Sequence, residues 1–249
     1  MSLSTIAFGS GLSSLIIVLI GWILGLYLLK RYFSSPDTNT LALAVILISV
    51  GSVWLVIAIN FLLALNGSAY LDSLPYLFIV GWIPGVVGLA TGYVFISIVK
   101  EEYLKPVMFL FGLFFVINTV VIYVLIPFNI LGFKVDSALQ FSDLKAGELP
   151  NASTQGIFQI LSVISILIML ATAIFFIITA IRTTIPLVKA RAGLLGIGLL
   201  MVSILITFDT LIEISDLLIL LTVRVVIVIA LFILAMAITL PKRIFKNLT

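Results

Sequence analysis

Long apolar runs, separated by short polar or turn-rich breaks, fill this chain almost from end to end. Marking the runs by hydropathy and the breaks by charge, Pro, Gly, Asn and Asp predicts seven helices. They lie at about 6–29, 40–65, 75–99, 106–127, 156–181, 192–213 and 217–240. A helix of roughly 20 apolar residues crosses a bilayer core, and each run is at least that long. The main breaks read "KRYFSSPDTNT", "NGSAYLDSLP", "KEEYLKP" and "RTTIPLVKARA". Pro75 and Pro106 fall where helices begin, because a proline in the first turn forfeits no helical hydrogen bond. The predicted fold class is all-α: a polytopic bundle of seven transmembrane helices in one domain, residues 1–249.

Composition agrees with the pattern. The chain is 63% hydrophobic and 9% charged over 249 residues, with a mean hydropathy of +1.41. A soluble domain is about a quarter charged, so a water-soluble globule is excluded. Seven crossings and their loops leave little for an extramembrane domain. Cys and His are both absent, which removes disulfides, thiolate nucleophiles, the usual zinc sites, His-ligated haem or copper, and the commonest general base. No cofactor is expected.

The charges set an orientation. Lys30, Arg31, Lys100, Lys105, Arg182, Lys189, Arg191, Lys242, Arg243 and Lys246 fall on one side of the predicted bundle, and Lys134 and Lys145 on the other. Basic residues concentrate on the cytoplasmic side, so the N-terminus is expected outside and the C-terminus inside. An even number of spans breaks this alternation. The first span is read as an anchor rather than a cleavable signal, because no Lys or Arg precedes it and "KR" follows it. The long loop, about 128–155, is then external and carries an Asn-Ala-Ser sequon at Asn151, correctly placed for glycosylation if the host glycosylates. Its stretch "VDSALQFSDL" fits either a short amphipathic helix on the outer surface or a plain loop. The expected locality is the cell membrane, in contact with lipids and not with nucleic acid.

One stretch, "TFDTLIEISDLLILLTVRVVIV", sets Asp209, Glu213, Asp216 and Arg224 into unbroken hydrocarbon. A hairpin turning near Ile214 to Asp216 places Arg224 at a depth similar to Asp209, on the order of 10 Å below the start of its helix. An unpaired arginine there costs at least a few kcal/mol, so Asp209 is its natural partner and Glu213 the second. If the sixth helix continues, Asp209, Glu213 and Asp216 line one face at i, i+4 and i+7. Two readings stand: an outward-facing polar pocket, or a hairpin tied by one intramembrane ion pair with Glu213 and Asp216 solvated at the turn.

Elsewhere, Pro84 in "GWIPGVVGLATG" is expected to kink the third span. Gly81, Gly85 and Gly88 there, and Gly193, Gly196 and Gly198 in "GLLGIG", read as close-packing faces. Asn60 and Asn118 are lone amides expected to bond between helices. Trp22, Trp54 and Trp82 are isolated, with no aromatic cage. The seventh span has no lysine for a retinal Schiff base, and nothing forms a Ser–His pair, an HExxH helix or two deep aspartates. Catalysis is not expected.

From the sixth span onward, "ARAGLLGIGLLMVSILITFD" and "VVIVIALFILAMAITLPKRIF" resemble the membrane part of seven-helix microbial sensor proteins, including the N-terminal regions of some histidine kinases. "ILGLYLLKRYF" in the first span is compatible with that likeness. The family carries signalling output after its last helix, where this chain stops at Thr249, so the resemblance implies output through a separate partner in the membrane or at the cytoplasmic face. The expected function is a non-enzymatic, receptor-like or sensor-like module. The rivals are a cofactor-free accessory subunit of a larger membrane complex and, third, a small transporter. The transporter is weakest, because no inverted repeat and no pair of broken helices in matching positions is visible.

Overall fold

The fold was established from a computed structural model, which describes residues 3–99, 104–128, 130–134, 139–141, 148–150, 152–154, 156–211 and 216–239. Nine α-helices stand among them: α1 (Thr5–Ser34), α2 (Thr38–Ser52), α3 (Leu55–Leu65), α4 (Ser73–Val80), α5 (Ile83–Val99), α6 (Leu104–Val120), α7 (Gly156–Arg182), α8 (Pro186–Leu211) and α9 (Leu217–Thr239). Six stretches are long and apolar enough to cross a membrane, and the bent pair α2–α3 makes a seventh if it counts as one span. The chain therefore has the build of a multi-pass membrane protein.

The helices close into a ring. α1 packs on α2, α3 and α9, α2 on α5, α5 on α7, α7 on α8, and α8 on α9, with α6 set outside the ring chiefly against α5. Hydrocarbon gives helices no hydrophobic reason to associate, so small residues that admit close approach decide the contacts. A Cβ added to Gly21 of α1 would lie 2.8 Å from Gly51 Cα and 2.9 Å from Leu47 O of α2. Here two backbones touch. Along the third span, Gly81 at the end of α4 and Gly85, Gly88 and Gly92 of α5 receive Ile122, Asn118, Phe114 and Phe111 of the fourth span in that order. Gly196 of α8 meets the α7 backbone at Ala173 and Ile177, and Gly198 meets Leu234 of α9.

Two neighbouring spans are interrupted. The second bends by 45° between α2 and α3, where no proline stands. The cause is a Gly–Ser pair, a recognised kink site. Ser52 Oγ bonds back to Ile48 O at 2.7 Å, which weakens the helical ladder, and accepts Trp22 Nε1–H from α1 at 3.0 Å. Trp54 follows at φ −94°, ψ 5°. In the third span the break falls at Gly81–Trp82, and Pro84 is the second residue of α5. The kink expected at Pro84 is thus displaced upstream, because a ring in the first turn clashes with nothing. Neighbouring helices bond the carbonyls at this break: Asn118 Nδ2 donates to Gly81 O at 2.9 Å, and Ser165 Oγ of α7 donates to Pro84 O at 2.6 Å. Such bonding from adjacent helices is what makes a broken helix tolerable in lipid.

Three boundaries depart from expectation. α8 begins at Pro186, so Lys189 and Arg191 lie on the helix rather than in a loop. The fourth span ends in a π-turn, Val121–Leu125. Within the long loop, Leu139–Phe141 (β1) pairs antiparallel with Ala152–Thr154 (β2). Of "VDSALQFSDL" only Leu139–Phe141 is described, as a strand rather than an amphipathic helix and a small exception to an all-α fold; the rest lies outside the described residues. Two strand segments can satisfy each other's backbone groups at once, which an isolated short helix cannot.

Candidate functional site

Four segments converge on one buried ion pair. Arg224 lies in the second turn of α9, and Asp209 two residues before the end of α8. Arg224 Nε donates to Asp209 Oδ1 at 3.0 Å, with the two side chains only 5% and 6% exposed. The other carboxylate oxygen, Oδ2, accepts Trp54 Nε1–H from the bend between α2 and α3. Arg224 Nη1 donates to Ser14 Oγ of α1. The guanidinium carbon also sits over the Trp54 ring, 5.4 Å from its centroid, a geometry in which a cation is attracted to the ring face.

The local chemistry accounts for each placement. The α8–α9 connection is short, so antiparallel neighbours bring residues at equal depth together. Trp54 arrives because the 45° bend turns its indole toward α8 and α9. Ser14 stands where α1 crosses α9. Both carboxylate oxygens therefore have a donor, and the pair is neutral overall. Burying an ion pair is tolerable under just these conditions: close geometry and further hydrogen bonds to the remaining lone pairs. The arrangement holds charge in place, with both members of the pair bonded to neighbouring helices.

The remaining predicted residues fall elsewhere. Asp216 is exposed and caps α9, its Oδ1 accepting Leu218 N at 2.8 Å and Ile219 N at 3.1 Å. It does not continue the α8 face with Asp209, so the carboxylate stripe at i, i+4 and i+7 does not form: α8 ends at Leu211 and the chain restarts as a new helix. Glu213 and Asn151 lie outside the described residues. Asn60 accepts from Leu71 N at 2.9 Å through Oδ1, which ties the middle of α3 to the connection after it rather than to another helix, because that backbone N–H lies nearer than a neighbouring side chain. Among the described residues no three His, Cys, Asp or Glu side chains stand close enough to hold a metal ion.

Trp54 and Ser14 are absent from the sequence-based site, and Trp54 and Trp22 are not isolated. Their partners lie 155, 210 and 30 residues away, and no local spacing reports contacts over such distances. Trp54→Phe keeps an aromatic face near Arg224 but loses the donor to Asp209. It is expected to lower stability by about 1–2 kcal/mol, as for a hydrogen bond to a charged group within a bundle. An unchanged melting curve in detergent would remove Trp54 from the site.

Compared with known protein families and with characterised proteins, the chain matches none.

Proposed function

We propose that this chain is a non-enzymatic, sensor-like membrane module with seven spans, its N-terminus outside and its C-terminus inside, seated in the cell membrane and acting through a separate protein partner. The observation that carries the reading is the buried Asp209–Arg224 pair, bonded through Trp54 to a bent helix and through Ser14 to α1. A switch needs an element with two discrete arrangements that a stimulus can bias. In this reading the 45° bend, tied to the pair through Trp54, is that element. The depth of the cluster, on the order of 10 Å below the start of α9, puts it near the proposed outer face. Basic residues at the opposite helix ends, among them Arg31, Lys105 and Lys189, support the orientation.

The chain lacks cysteine, so single introduced thiols take spin labels cleanly. Leu65→Cys at the end of α3 and Leu218→Cys at the start of α9 are 55% and 77% exposed. In the sensor reading, adding Asp209→Asn yields a second, discrete distance population by double electron–electron resonance while the helical content stays. A single unchanged distance with only a lower melting temperature makes the pair a clamp. The accessory-subunit reading then leads, and it has its own support: α6 turns Phe109 and Leu110 outward, 70% and 61% exposed, toward lipid or a neighbouring subunit. That reading expects stoichiometric co-purification with other subunits after gentle extraction.

A further inference from the structure

A groove of about 420 Å³ runs along the α7–α8 hairpin, lined by Ile177, Ala180 and Ile181 of α7 and Lys189, Gly193 and Ile197 of α8. The α7 residues stand at i, i+3 and i+4 and the α8 residues at i, i+4 and i+8, so each set is one helix face turned to the same channel. The channel is graded. Its apolar length lies beside Ile177 and Ile197, toward the middle of the two helices. Its Lys189 end lies one turn inside the start of α8, and Arg182, the exposed last residue of α7, directly follows Ile181 of the lining in the chain. Gly193 keeps the floor open, since a Cβ there would meet only Ala180 Cβ at 3.8 Å.

We propose that this groove binds one anionic phospholipid, an acyl chain lying along Ile177, Gly193 and Ile197 and the headgroup phosphate meeting Lys189 and Arg182. The charge grading matches that occupant from end to end: basic pockets between helices at a membrane face take anionic headgroups, and the hydrocarbon part accepts only a chain. A second copy of this protein is a poor fit, because a two-fold interface offers only this same patch, whose lining holds no acid to pair Lys189.

The test is native mass spectrometry of the purified full-length chain, titrated with phosphatidylglycerol or phosphatidylcholine. The wild-type chain is expected to retain one phosphatidylglycerol at least about fivefold more tightly than phosphatidylcholine, the effect of roughly one basic side chain near an anionic headgroup. Lys189→Gln should abolish most of that preference. Lys105→Gln makes the same change of charge at the start of α6, away from the groove, and should keep it. Gly193→Leu fills the floor without touching the cations, and should weaken both lipids while melting normally in neutral detergent. Equal losses in Lys189→Gln and Lys105→Gln, an undiminished adduct in Gly193→Leu, or a doubled protein mass in place of a lipid adduct overturns the site.

Discussion

Arg224→Ala is expected to cost about 3–5 kcal/mol, because removing one partner of a buried pair leaves the other charge unpaired. The abandoned group is Asp209, whose side chain is 6% exposed; Trp54 Nε1 remains as its donor, and one neutral donor does not replace a guanidinium. Ser14 loses its partner as well. Asp216→Ala is the contrast. That carboxylate is exposed and caps α9, so its loss should cost about 1 kcal/mol. The double variant Asp209→Leu with Arg224→Met separates charge from volume. It should recover most of the stability lost in Arg224→Ala, since apolar replacements of a buried pair are often neutral or stabilising. The check is thermal unfolding of all three variants in one detergent. A loss in Arg224→Ala no larger than that in Asp216→Ala would show that the pair reaches water.

Gly21→Leu should disrupt the bundle about as severely, by about 3 kcal/mol or more, at and beyond the upper end of ordinary overpacking. The reason is the identity of the neighbours. A side chain at Gly21 meets Gly51 Cα and Leu47 O, and backbone atoms cannot rotate away as a side-chain tip can. The α1–α2 crossing must open, and the Trp22–Ser52 bond beside it opens with it. Gly112→Leu on α6 is the control, since nothing lies within 4 Å of an added Cβ there, and its melting temperature should hold or rise. Equal behaviour of the two variants would mean that α1 and α2 are not in backbone contact.

Several of these features were open to sequence reading, and the reasons differ. The Gly81, Gly85 and Gly88 stripe was visible because small residues at helical spacing mark a packing face, and in the fold that face receives the fourth span. "GWILG" at Gly21–Gly25 repeats the four-residue spacing, and its Gly21 meets the α2 backbone at Gly51 and Leu47. Pro84 drew attention as the helix breaker, while the sharper bend came from Gly51–Ser52, a weaker local signal that α1 completes through Trp22. For Asp209 and Arg224, a short hairpin converts sequence distance into depth, so simple reflection brought them near one another. The Asp209, Glu213 and Asp216 stripe depended on α8 continuing, and Asp216 instead starts the next helix.

What the amino-acid sequence determined by itself is the helical, membrane-crossing character of the chain. That follows from run length and hydropathy, because a bilayer allows only structures that satisfy their own backbone, and a helix does so within one segment. The tertiary structure alone decided which polar groups meet. Trp54 reaches Asp209, Ser14 reaches Arg224 and Asn118 reaches Gly81 O through a ring of helices whose order no local pattern encodes. In hydrocarbon a polar side chain takes whichever partner the packing of small residues brings within reach, and that choice belongs to the whole bundle.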